Sequence, residues 1–135
     1  MDEIEIRVEV EVNPTESEEK VRRAVENVLG PLPLEFKPHP QGEGGILVVE
    51  AKGFETLSKF YNLLRRERIC DAARTILFEG LIGDTIIFYL NKQVAYVGHI
   101  SFSKAFAESP LGPIKVQVRC SDPRRFIDWL APKSS

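Results

Sequence analysis

Over the first dozen residues apolar and polar side chains alternate, with Ile4, Ile6, Val8, Val10 and Val12 at even positions and Glu3, Glu5, Arg7, Glu9 and Glu11 at odd ones. Successive side chains of an extended chain point to opposite faces, so this pattern predicts a strand with one face in a core and one in water. Asn13-Pro14 ends it. Thr15 followed three residues later by Glu18 has the spacing of a capping box, in which side chains satisfy the free N–H groups at a helix start. The helix expected there runs from Glu16 to about Leu29. Val21, Ala24, Val25 and Val28 fall on one side of it, acids crowd the first turn where the helix dipole favours them, and Gly30-Pro31 stops it.

Leu34 and Phe36 alternate ahead of Pro38-His39-Pro40, and the glycines from Gly42 to Gly45 lead into the apolar run Ile46 to Val49, which predicts two strands joined by a flexible connection. After Gly53, Leu57, Phe60, Tyr61 and Leu64 share a helical face. Continuing that phase would turn Arg68 inward and Leu77 outward, so the phase breaks near Arg66 to Ile69. Ala72, Ala73, Ile76 and Leu77 then form a second face, which predicts two consecutive helices with an arginine-rich elbow between them. Thr85 to Leu90 and Val94 to Phe102 are rich in β-branched and aromatic residues and predict a hairpin across Asn91-Lys92. Ser109-Pro110-Leu111-Gly112-Pro113 is irregular, Ile114, Val116 and Val118 alternate along a final strand, and Ser121 caps a short helix docked by Phe126, Ile127 and Leu130. The expected fold is α+β: a mainly antiparallel sheet with helices packed on one face, in the order β-α-β-β-α-α-β-β-β-α.

A chain of 135 residues with 43% hydrophobic and 28% charged residues has the size and composition of one folded domain, here expected over 1–135. Cys70 and Cys120 lie too far apart for a zinc-ligand spacing and are too few for a disulfide framework, so buried thiols are expected. With no signal-like start and no apolar run of about 18 residues, a cytoplasmic protein without a membrane partner is expected. Net charge is −2, but unevenly spread: residues 1–30 hold nine acids and four bases, and the remainder is +3. Residues 52–74 hold six bases and three acids, so the whole surplus can come from this one segment.

No glycine-rich phosphate motif, HExxH, GxSxG or paired-carboxylate motif occurs, so an enzyme is not expected, nor a metal or cofactor. His39 and His99 stand alone, and Cys70, beside Asp71 and near three arginines, is more simply a packing residue than a reactive thiol. Arg65, Arg66, Arg68 and Arg74 form the densest positive group, and their guanidinium forks match phosphate oxygens. The competing reading pairs Asp71 with Arg68 or Arg74 and lets Glu67 neutralise another. Asn91, Lys92 and Gln93 offer amide and ammonium donors for phosphates or base edges, or are ordinary turn residues. Tyr61, Tyr89, Tyr96, Phe88 and Phe102 could supply stacking surfaces. Most are expected in the core, but Tyr89 must face away from Phe88.

Arg68-Ile69 with Asp71-Ala72-Ala73-Arg74, Leu90-Asn91-Lys92-Gln93 with Ala95-Tyr96-Val97-Gly98, Ser109 to Ile114 and Asp128-Trp129-Leu130-Ala131-Pro132 together resemble an archaeal family of uncharacterised proteins. The opening Val12-Asn13-Pro14-Thr15-Glu16 fits as well. The resemblance spans nearly the whole chain. It implies an RNA-binding domain by family label and a fold similar to that of the ribosomal protein that carries 5S ribosomal RNA; it brings no activity or catalytic residue. The expected function is therefore RNA binding, with the arginine elbow and Asn91 to Gln93 on phosphates. The alternatives are a homodimeric interaction protein, joined through a sheet edge or a patch near Trp129, and, last, an enzyme on small phosphorylated compounds.

Overall fold

A computed structural model describes residues 3–103 and 112–134. The strand expected at the start is β1, Ile4–Val12, whose five apolar residues are buried. Asn13 accepts a backbone bond from Glu16 and its own N–H donates to the Glu16 carboxylate, closing a turn before helix α1, Glu18–Leu29. The cap is Ser17, not Thr15, because Glu16 is drawn inward and the helix starts two residues later than the capping-box spacing predicts. Val21, Ala24, Val25 and Val28 are buried on one face.

Strand β2, Glu35–Pro38, pairs with β3, Gly45–Lys52, as the two apolar segments predict. A 3-10 turn, Phe54–Leu57, leads into α2, Ser58–Arg66, and α3 follows over Cys70–Glu79. The phase break therefore falls at Glu67, Arg68 and Ile69, where the two-helix reading puts it. Strands β4, Leu81–Ile82, and β5, Thr85–Leu90, form a tight hairpin.

The expected hairpin across Asn91-Lys92 is corrected by the structure. Asn91 is the N-cap of a short helix, α4, Lys92–Tyr96, its side chain accepting from the Val94 N–H. Lys92 and Ala95, three residues apart, are buried, and α4 packs beside α1. Tertiary packing overrides the β-propensity of Val94 and Tyr96. Of the predicted second strand only β6, Phe102–Ser103, remains, paired with β5. Most of the Ser109 to Pro113 segment lies outside the described residues. Strand β7, Ile114–Cys120, and helix α5, Pro123–Leu130, close the chain. Asp122, not Ser121, caps α5, its carboxylate accepting from the Arg125 N–H, with Pro123 in the first turn, where no N–H is needed.

The described strands form one sheet in the order β2-β3-β1-β7-β5-β4, with β6 beside β5, and every pairing is antiparallel. One face carries Ile4 to Val12 of β1, Leu47 and Val49, Ile86, Phe88 and Leu90, and Val116 and Val118 into a single core shared with α1, α2, α3 and α5. Phe60 of α2 stacks on Phe88 at 5.5 Å between centroids and meets Phe102 edge-on. Cys120 is buried, Cys70 half-buried, and both are free thiols.

Candidate nucleic-acid interface

The open face of the sheet carries charge in cross-strand rows. Glu5 stands between Lys52 and Arg119, Arg7 between Glu50 and Gln117, and Glu9 between Val48 and Lys115. Arg7 pairs with both Glu9, at 2.6 Å, and Glu50, and these bonds hold its guanidinium above the usual value. Arg119 pairs with Asp84 at 3.2 Å. Opposite charges in register satisfy one another. A cavity of about 710 Å³ lies on this face among Glu5, Arg7, Glu50, Lys52, Gln117 and Arg119. Arg7 and Arg119 in its lining are paired with carboxylates, whereas Lys52 makes no ion pair with a described residue.

The arginine cluster divides by role. Arg65 lies over the Tyr61 ring, 3.4 Å from its centroid, and donates to the carbonyls of Tyr61, Leu130 and Trp129, each at 3.1 Å. Arg74 donates to the Ala131 carbonyl at 3.3 Å, pairs with Asp128 at 2.7 Å and lies against Phe78. Both therefore satisfy the last carbonyls of α5, where the helix dipole favours a cation. Asp71 pairs with neither Arg68 nor Arg74; it accepts from the Ser134 hydroxyl at 2.6 Å and N–H at 3.2 Å, and these bonds lower its carboxyl below the ordinary range. Nor does Glu67 neutralise an arginine. It binds His99 at 3.1 Å and the Ile100 N–H at 3.2 Å, clamping the elbow to the segment after α4.

Arg66 and Arg68 remain. Both are exposed, and neither side chain makes a hydrogen bond or ion pair with a described residue. Arg68 has φ of 57°, and no other non-glycine described residue has a positive φ. A left-handed conformation costs an L-residue with a long side chain roughly 1–2 kcal/mol, which glycine avoids. The Arg68 N–H bonds to Arg65 O and the Ile69 N–H to Leu64 O, so the reversal between α2 and α3 imposes this conformation.

Of Asn91, Lys92 and Gln93, only Gln93 points outward. Asn91 is spent as a cap, and Lys92 is 1% exposed, its ammonium donating to Glu11 O at 2.8 Å and to Glu16 Oε1 and Oε2 at 3.0 and 3.3 Å. Glu16 also accepts from the Asn13 backbone and side chain and from the Tyr96 hydroxyl at 3.2 Å. Burial pushes the Glu16 carboxyl up, but the bonds from Asn13 and Lys92 outweigh it and the net shift is downward. Burial and the adjacent carboxylate push Tyr96 up to about 12. Nothing in the local sequence around Lys92 pointed to Glu16, 76 residues away.

Of the aromatic rings, Tyr89 lies on the open face beside Lys115, half-buried, and Phe88 is in the core. Trp129 is half-buried and packed by Phe54, Tyr61 and Phe126 at 5.0, 4.9 and 5.9 Å. Sequence reasoning passed over Lys20 and Arg23 of α1, which line a cavity of about 560 Å³ with Thr15, Glu16, Ser17 and Tyr96. Their spacing of three on a predicted helix was the available signal. No group of three or more metal-ligating side chains occurs among the described residues.

Fold and surface together define an α+β protein with helices on one face of an antiparallel sheet, ion pairs across part of its open face, and cations without a described ion-pair partner on the helical side. A family model described as RNA binding matches residues 5–120. The chain is 49% identical over 130 residues to a UPF0201 protein of Sulfurisphaera tokodaii, covering 96% of this chain and 88% of that one. It is 42% identical to a UPF0201 protein of Thermococcus kodakarensis, covering 96% and 91%. The crystal structure of a UPF0201 protein from Methanococcus jannaschii superposes with a TM-score of 0.84 at 32% identity, over 97% of this chain and 95% of that one. A DUF54 protein from Methanothermobacter thermautotrophicus shares the fold, with a TM-score of 0.67 at 19% identity over 96% of this chain and 99% of that one. The chain belongs to the archaeal UPF0201 family, matched by the RNA-binding family model. No helix among the described residues is long and apolar enough to cross a membrane.

Proposed function

We propose that this protein binds RNA through the helical side of the domain, with Arg66 and Arg68 at the α2–α3 elbow contacting backbone phosphates and Gln93 adding an amide. The observation that carries the reading is Arg68: an exposed arginine without a described partner occupies a backbone position at which glycine costs less. Fold stability alone favours glycine there, whereas a guanidinium serves a phosphate. The RNA-binding description of the matching family model supports the same reading. Arg65 and Arg74 act behind the elbow, holding α5 against it, and are positioning residues rather than phosphate contacts.

The test is titration of the protein with single-stranded and duplex RNA, measured by fluorescence anisotropy across a salt series, beside an Arg66→Ala/Arg68→Gly variant. The expected result is affinity falling steeply with salt through counterion release, and a loss of about tenfold or more in a variant whose unfolding midpoint is unchanged or raised. Recovery of RNA crosslinked in native cells then identifies the ligand. Absent or salt-insensitive binding, or full affinity in the variant, overturns the proposal.

A further inference from the structure

The cavity between the start of α1 and α4 was not singled out by the sequence pattern, and its chemistry differs from that of the sheet-face cavity. Its described lining residues are Thr15, Glu16, Ser17, Lys20, Arg23 and Tyr96. The one acid among them, Glu16, is matched by the buried Lys92 ammonium at 3.0 Å, so its charge is cancelled within the wall. The Lys20 and Arg23 side chains are exposed and make no hydrogen bond or ion pair with a described residue. Glu19 and Glu26, four residues before and three residues after Arg23 on α1, are not in its described lining. Among the described residues the cavity therefore presents two cations without an ion-pair partner.

Its third element is an aromatic ring held in place. The Tyr96 hydroxyl donates to Glu16, and Asn27 donates to the backbone carbonyls of Ala95 and Tyr96 at 3.0 and 3.2 Å, tying α4 to α1. A ring fixed at both ends gives a flat apolar surface with little ordering cost, beside two cations and the hydroxyls of Thr15 and Ser17. A volume of about 560 Å³ lies within the range of small-molecule sites. Paired cations beside an aromatic face match a phosphate joined to a base or ribose. Three residues beyond Tyr96, His99 meets Glu67, which lies between Arg66 and Arg68 in the chain.

We infer that the α1–α4 cavity is a nucleotide-binding subsite, with Lys20 and Arg23 clasping a phosphate and the Tyr96 ring packing against the adjoining base or ribose. The inference deepens the RNA-binding reading by naming a second contact region of the same strand, and the shared chemistry, a nucleoside phosphate, is also that of a free nucleotide.

Two measurements separate these possibilities. Wild type, Lys20→Ala/Arg23→Ala and Lys20→Glu/Arg23→Glu are titrated with a fluorescent ten-nucleotide oligouridylate over a salt series; the same proteins are titrated with uridine monophosphate while amide shifts of residues 15–23 and 96 are followed. All substitutions are at exposed positions, and unchanged far-ultraviolet circular dichroism establishes that the variants fold. The expected result is about tenfold weaker RNA binding in the alanine variant, a salt slope smaller by roughly 0.7 for one lost phosphate contact, and further loss on charge reversal. If RNA binds the alanine variant as tightly as wild type while Arg66→Ala/Arg68→Gly loses affinity, the subsite is overturned and the elbow stands. If RNA does not bind but uridine monophosphate shifts the cavity amides, the RNA reading falls and the subsite stands as a free-nucleotide site. If neither binds, both fall.

Discussion

Replacing Lys92 by Met tests how the helical layer is fastened to the sheet. Among the described residues Lys92 is the only polar or charged residue that is fully buried, and its ammonium joins the end of β1 to the turn before α1. At 3.0 Å from Glu16 the gross attraction is about 5 kcal/mol at an effective dielectric of 20, largely offset by the cost of removing both charges from water. Methionine fills much the same volume but leaves Glu16, whose side chain is only 6% exposed, as an uncompensated buried carboxylate. The expected loss is about 3–5 kcal/mol, measured by urea unfolding at neutral pH. A Lys92→Met/Glu16→Gln double variant should recover at least half of it, because the amide oxygen still accepts from Asn13 and no charge is stranded. Acid provides a second check. The native Glu16 carboxyl titrates below its ordinary 4.5, so its contribution is complete above that pH and lost as pH falls through the native value. In Lys92→Met the stranded carboxylate takes up a proton more readily, so the deficit relative to wild type should shrink as pH falls from neutral toward the lowered native value of the wild type. A single-variant loss under about 1 kcal/mol, or a double variant no more stable than the single, refutes the reasoning.

Arg65→Met should lower stability by about 1–3 kcal/mol, since three carbonyls lose a charged donor, and the change should alter Trp129 fluorescence; a neutral outcome would remove the α5-capping role. Spectrophotometric titration should show a tyrosine step near pH 12 that Tyr96→Phe abolishes, and the wild type should lose stability as pH rises from about 10, the ordinary tyrosine value, through that native value. Gly80→Ala should destabilise by more than about 2 kcal/mol in denaturant unfolding, because the added carbon would lie 2.0 Å from the Ile87 carbonyl oxygen, a backbone atom that cannot swing aside.

Where periodicity reports burial directly, sequence alone determined structure. The alternation of Ile4 to Val12 and of Ile114 to Val118 defined two central strands and their buried faces, and the helical phase break before Ile69 located the α2–α3 elbow. These patterns are local, each residue's exposure being encoded by its neighbours two or three positions away. Interactions between distant segments were decided by the tertiary structure. Lys92 looked like a surface turn donor until Glu16 approached it, and that meeting converts the expected second hairpin strand into α4. Arg65 and Arg74 looked equivalent to Arg66 and Arg68, because four arginines within ten residues carry no mark of which will face the end of α5. A charge is committed or free according to the carbonyls and carboxylates that folding brings within about 3 Å of it, and that information resides in the packing of segments far apart in the chain.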